Sequence, residues 1–230
     1  MNMQPKTWSD ISVFQWQQLT AVFTDTDNSD LDMIVKAGAV VLGKTEHEID
    51  SWGMDRIKAM GRDIAFLHEP LEPKAARTID VNGRRYRCIY DIGRMPAARY
   101  IESKHFGTDP NGNLHRIAAS MVMPQRKLFK WGPWVDDRYD AARHGDYSMD
   151  MLDAPVTAVL GSVVFFCEVY QRTMWDIRAF MIRNILTANP TMSEPEAAEM
   201  FIRSCVGTDG IIQPSSSLTS SVLSSRKRMN

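Results

Sequence analysis

The sequence predicts a mainly α-helical protein with a single β-hairpin at about 78–90 and a flexible C-terminal tail. Three observations carry that prediction. Capping signals followed by apolar residues three and four apart recur along the chain, the mark of helices with one buried face. An Asn82-Gly83 pair stands between two short β-prone runs. From Gly207 the sequence turns Ser-rich and ends in Arg226-Lys227-Arg228, a composition that buries little.

Each element follows from local signals. Ser12-Val13-Phe14-Gln15 is a capping box, in which hydroxyl and amide satisfy early backbone donors, and Phe14, Trp16, Leu19, Val22 and Phe23 continue the helix. Trp8 and Trp16 suggest an aromatic anchor at its start. Ser29 or Asp30 caps a second helix, about 31–42, which Gly43 ends. Thr45 to Glu48 repeats the capping box before Ile49 and Trp52, and Ile57, Met60, Ile64 and Leu67 mark a helix over about 54–67. Pro70 and Pro73 then read as a linker closing an N-terminal helical unit, residues 1–70.

A second region, 71–206, is predicted to hold the hairpin and a larger helical body. Asn82-Gly83 allows positive φ at both central positions of a two-residue turn, with Tyr86, Cys88 and Tyr90 on one face of the second strand and Arg85, Arg87 and Ile89 on the other. Helices are expected at about 95–106, at 114–122 with Pro124 as its stop, and at 141–152. Between the last two, residues 127–140 read as an irregular aromatic stretch bent by Gly132-Pro133. The longest helix starts near Asp153-Ala154-Pro155 and continues to about Leu186. Its first half is apolar nearly all round, and Arg172, Asp176, Arg178 and Arg183 polarise its second half. A last helix, capped by Ser193 with Glu196, runs to about Cys205, and residues 207–230 form the tail.

Composition narrows the function. The 230 residues are 44% apolar and 24% charged, enough to bury a core and too apolar for wholesale disorder. Net charge is −1, which argues against a nucleic-acid coat. The three cysteines, Cys88, Cys167 and Cys205, form neither a disulfide framework nor a metal motif, so a reducing compartment is expected. No secretory signal is recognised in residues 1–12. Residues 154–167 are uncharged, but a membrane span needs about 20 such residues, so the stretch reads as a buried helix of a soluble protein.

No chemistry-bearing constellation emerges. None of the five histidines stands three or four residues from another, and no glycine-rich phosphate loop is present. Cys88 lies among arginines that could lower its pKa, but a half-buried structural thiol is the simpler reading, and Asp136-Asp137 reads as a solvated turn. No catalytic residue, metal ligand or cofactor is therefore assigned. Two binding features remain. Arg84, Arg85, Arg87, Arg94, Arg99 and Lys104, with interleaved tyrosines, could meet a nucleic acid or an acidic partner, or could pair with the chain's own acids. The long helix offers Val159, Val163, Phe165 and Phe166 as a partner surface if they are not core, with Trp131 and Trp134 as a second candidate. Fifteen methionines suit adaptable packing against partners of several shapes.

A resemblance adds to this reading. The run Val41-Leu42-Gly43-Lys44-Thr45-Glu46-His47-Glu48-Ile49-Asp50, then Ile64-Ala65-Phe66-Leu67, is followed by the hairpin Val81-Asn82-Gly83-Arg84-Arg85-Tyr86. Next come Tyr90-Asp91-Ile92-Gly93-Arg94-Met95-Pro96-Ala97-Ala98-Arg99-Tyr100-Ile101-Glu102, Tyr139-Asp140, and Val159-Leu160-Gly161-Ser162-Val163-Val164-Phe165-Phe166. This order, over roughly residues 8–205, resembles tail assembly chaperones and related virion assembly proteins of tailed bacteriophages. The resemblance implies a non-enzymatic protein of the host-cell cytoplasm that coats the aggregation-prone tape-measure protein and helps recruit tail-tube subunits. Self-association is compatible with that role, and a membrane is not involved. A structural virion subunit of the neck, ring or baseplate is the alternative, and a phage nucleic-acid-binding regulator acting through the arginine patch is a third. The Ser-rich basic tail has no counterpart in the resemblance.

Overall fold

A computed structural model describes residues 5–91, 95, 99, 106 and 109–206, without the side chains of Met174 and residues 201–206. The expected helix at 95–106, Arg94, Lys104 and the tail at 207–230 lie outside the described residues, apart from single positions within the first of these. The described chain is mainly α-helical, with one small antiparallel sheet.

The first helix begins where Ser12 predicts. Ser12 Oγ accepts from the Gln15 N–H at 3.2 Å, Gln15 Oε1 accepts from the Ser12 N–H at 3.1 Å, and α1 runs over Val13–Thr24. Ser29 and Asp32 repeat the box for α2, Asp30–Leu42, which ends on Gly43 in the left-handed region at φ 61°. Thr45 and Glu48 open α3, Glu46–Asp50; α4 follows over Met54–Asp63, then a 3-10 turn at Ala65–His68. Val35, Ala39, Ile49, Ile57 and Met60 form a buried cluster among α2, α3 and α4. Gly38 permits the close approach of α2 to α4, because a Cβ there would lie 2.3 Å from Met60 Sδ.

The hairpin forms at the predicted place. Asn82 and Gly83 take φ of 51° and 71°, the positive values of a two-residue turn, between β1, Thr78–Val81, and β2, Arg84–Cys88. Tyr86 and Cys88 are buried while Arg85 and Arg87 stay partly exposed, as the alternation requires. The sheet is larger than the sequence suggests. After α5, Leu114–Met121, the chain enters β3, Val122–Lys127, and returns as β4, Trp134–Asp136, giving the order β1-β2-β3-β4. Pro124 does end a helical pattern, yet it sits in β3 opposite Tyr86. Its missing N–H is harmless there, and its carbonyl accepts from the Asp137 N–H at 2.8 Å.

α6, His144–Asp153, leads through Ala154-Pro155 into α7, Val156–Ala188, and α8 spans Glu194–Val206. The expected division at residue 70 is not where the compact units part. Among the described residues, those up to Phe165 form one unit and those from Phe166 to Val206 a second. Long-range ties join the N-terminal helices to the body of the first unit. The Val13 N–H donates to the Ala154 carbonyl at 3.0 Å and the Val156 N–H to the Ile11 carbonyl at 2.9 Å. The proline segment is a strap lying on α7. The Lys74 N–H reaches the Thr157 carbonyl at 3.0 Å, and the Ala76 N–H reaches Ser162 Oγ at 3.1 Å. Gly161 makes room for it, since a Cβ would fall 2.3 Å from the Lys74 carbonyl carbon. In the second unit, Ser193 and Glu196 cap α8 as predicted, and Ala197 is fully buried. Among the described residues, no helix is long and apolar enough to cross a membrane.

Candidate partner-binding surface

The arginine patch is consumed inside the chain. Arg85 grips Asp80 with two bonds, 2.6 and 2.8 Å, across β1 and β2, and Arg87 grips Asp136 of β4 at 2.6 Å. Hydrogen bonds from these guanidinium groups hold both carboxyls below the usual carboxylate range. Arg84 donates to Asp150 of α6 at 2.9 Å. Arg99 is buried; it donates to the Val122 carbonyl, and its guanidinium lies 3.8 Å from the Tyr139 ring centre. Of the two readings open for these residues, pairing with the chain's own acids is the one Arg84, Arg85 and Arg87 follow. Arg94 and Lys104 lie outside the described residues.

Asp150 is the centre of the largest of these networks. Its carboxylate accepts from Arg84, from the Tyr86 hydroxyl and, at 3.2 Å, from Asn82 Nδ2, which also donates to Asp153 at 2.9 Å. The hairpin turn is thereby tied to the C-terminal end of α6. Burial and the bond to Asp150 push the Tyr86 phenol well above its ordinary value. Cys88 is also buried, and desolvation outweighs its neighbours, including Arg87, to raise its thiol pKa. That is the reverse of what a nucleophilic thiolate needs. Among the described residues, no three His, Cys, Asp or Glu side chains converge to hold a metal ion.

The apolar surface differs in part from expectation. Val159, Val163 and Phe166 are buried, so they are not a free partner surface. The first half of α7 is apolar all round because the strap at 70–77 and the sheet cover the side that a surface helix would leave to water. Phe165 is 40% exposed, edge-on to Tyr90 at 4.8 Å. Trp134 is half-buried, with Arg85 and Lys127 at 4.8 and 5.4 Å from its ring centre, and Trp131 is 86% exposed in the β3–β4 turn.

The larger apolar exposure lies farther along α7. Trp175 is 62% and Phe180 61% exposed, and Ile177 and Met181 are exposed beside them. Ile177, Phe180 and Met181 fall at i, i+3 and i+4 and share one helix face. The sequence reads this half of the helix as polarised by Arg172, Asp176, Arg178 and Arg183. The missing signal was quantity. Four large apolar residues within seven positions exceed what this segment's own unit covers. Leu128 and Phe129 were also passed over, because the turn that exposes them belongs to a strand pair the sequence did not reveal.

Compared with known proteins, the chain matches no family model, no curated sequence and no solved structure.

Proposed function

We propose that this protein is a non-enzymatic bacteriophage morphogenesis protein, a tail assembly chaperone that holds the tape-measure protein through apolar helical surface. The observation that carries the reading is the exposure of Trp175, Ile177, Phe180 and Met181 on the distal half of α7. A holdase must cover apolar surface on another chain without locking it. An exposed helix face of Ile, Phe and Met, outside any buried core, offers shallow contacts of that kind. The order of motifs from Val41 to Phe166 supplies the phage context, and its place of action is then the host-cell cytoplasm.

The test pairs two measurements. The tape-measure protein of the encoding phage is co-expressed with the wild type and with Ile177→Glu/Phe180→Glu. Mass spectrometry then compares purified particles with the infected-cell lysate. The reading expects co-purification with the wild type, at least about tenfold less with the variant, and absence from particles. Stoichiometric presence in particles would replace it with a structural virion subunit.

A further inference from the structure

The β3–β4 turn is a cationic, apolar tip. Residues 126–131 read Arg-Lys-Leu-Phe-Lys-Trp, and Leu128, Phe129 and Trp131 are all exposed. Local bonds hold the turn in shape. The Leu128 N–H donates to the Pro133 carbonyl at 3.2 Å and the Gly132 N–H to the Phe129 carbonyl at 2.8 Å. The Phe129 ring covers Gly132 so closely that a Cβ there would lie 2.9 Å from it. Lys127 and Lys130 stand over Trp134 and Trp131 at 5.4 and 5.8 Å. The nearest acids in sequence are already engaged, Asp136 by Arg87 at 2.6 Å and Asp137 by Arg126 at 3.6 Å. The tip thus carries two lysines that make no salt bridge among the described residues, set among three exposed apolar side chains.

The same unit holds a surface of opposite charge and matching apolar character. In the α1–α2 turn, Phe23 and Leu31 are exposed beside the exposed Asp25, Asp27, Asp30 and Asp32. None of these carboxylates forms a salt bridge among the described residues. Asp32 is occupied in capping α2, and Asp25 accepts from the Asp27 N–H at 3.1 Å, so the turn is ordered.

We propose that the β3–β4 tip of one copy docks on the α1–α2 turn of a second copy. Trp131 and Phe129 meet Phe23 and Leu31, and Lys127 and Lys130 meet Asp27 and Asp30. Charge complementarity selects this occupant: the acids beside the tip are already held by Arg87 and Arg126, and at the turn Lys36 donates to Asn28 while Asp27 and Asp30 make no salt bridge among the described residues. The two surfaces differ, so a single contact leaves one tip and one turn free, to close reciprocally in a twofold dimer or to propagate into a ring or a growing chain. It is independent of the phage assignment, and its failure would leave that assignment standing.

Sedimentation velocity on the full chain tests it, from about 1 to about 100 µM, at low and high salt. The average mass should rise with concentration and fall with salt. Lys127→Glu/Lys130→Glu and Asp27→Lys/Asp30→Lys should each weaken association about tenfold or more with an unchanged circular dichroism spectrum. Mixing the two variants should restore it, because each then offers the charge the other lacks. Trp131→Ala should weaken it without changing its salt dependence. A monomer throughout that range overturns the proposal. So does association that ignores both charge variants, or a mixture that fails to recover, or a tip that binds single-stranded DNA or anionic vesicles while the protein stays monomeric.

Discussion

Asp150 is a single buried carboxylate on which two elements depend. Removing it leaves the Tyr86 hydroxyl without its acceptor beneath the hairpin and the Asn82 amide with Asp153 alone. Asp150→Ala should therefore cost about 3 kcal/mol in urea unfolding. Arg84→Ala should cost under about 1 kcal/mol, because that guanidinium is half exposed and water replaces its partner. The two tight glycines should separate in the same way. At Gly161 the obstacle is the backbone of Lys74, which cannot move without lifting the strap. Gly161→Ala should cost about 2–3 kcal/mol, whereas at Gly38 the obstacle is the flexible end of Met60 and the loss should be smaller. Thermal unfolding of the two variants side by side checks the order.

At the scale of elements, the caps and the turn decide where structure starts and stops. Ser12→Ala removes the acceptor for the Gln15 N–H and should cost about 1 kcal/mol. Gly83→Ala puts a side chain at φ 71° and should cost a similar amount, about 1 kcal/mol, read as a shift in urea midpoint at constant slope. These features were legible in advance because their cause is local. Ser-x-x-Gln, Thr-x-x-Glu and Asn-Gly act within four residues, and each stands where it was read, while of Ser29 and Asp30 it is Ser29 that caps α2. β3 and β4 were not legible. Val122 to Lys127 contains a proline and two basic residues, and it becomes a strand through its pairing with β2, more than thirty residues earlier.

Across the whole molecule, pH dependence sums the buried and capping groups. Burial pushes the Cys167 thiol up to about 11 and the Tyr90 phenol up to about 12. A raised pKa contributes stability that is fully present below the unfolded-state value and is lost as pH rises through the folded one. The melting temperature should therefore hold to about pH 9 and fall between about pH 9 and pH 12. The capping carboxylates act in the opposite sense. Hydrogen bonds from Ser29, Thr45 and Ser193 hold Asp32, Glu48 and Glu196 below the usual carboxylate range. Their contribution is present at neutral pH and is lost as pH falls through that range. A thermal scan from about pH 3 to about pH 12, with Cys167→Ser as the control for the thiol's share of the alkaline limb, reads both.

By itself the sequence determined the helical class, the caps, the Asn-Gly hairpin and the long helix, because each follows from propensity, periodicity or hydrogen bonds within one or two turns of chain. The tertiary structure decided which apolar residues are surface. Val159, Val163 and Phe166 are as hydrophobic as the residues of any docking face, yet they are core. Trp175 and Phe180 sit among charged neighbours and are exposed. Periodicity tells which residues share a face, but burial depends on what the chain brings against that face. Here the strap at 70–77 lies along the start of α7, drawn in by bonds from its backbone N–H groups to the Thr157 carbonyl and the Ser162 hydroxyl that no local pattern encodes. The arginines obey the same logic. Their charge was plain in the sequence, but Asp80, Asp136 and Asp150 neutralise them only after the strands and α6 have come together.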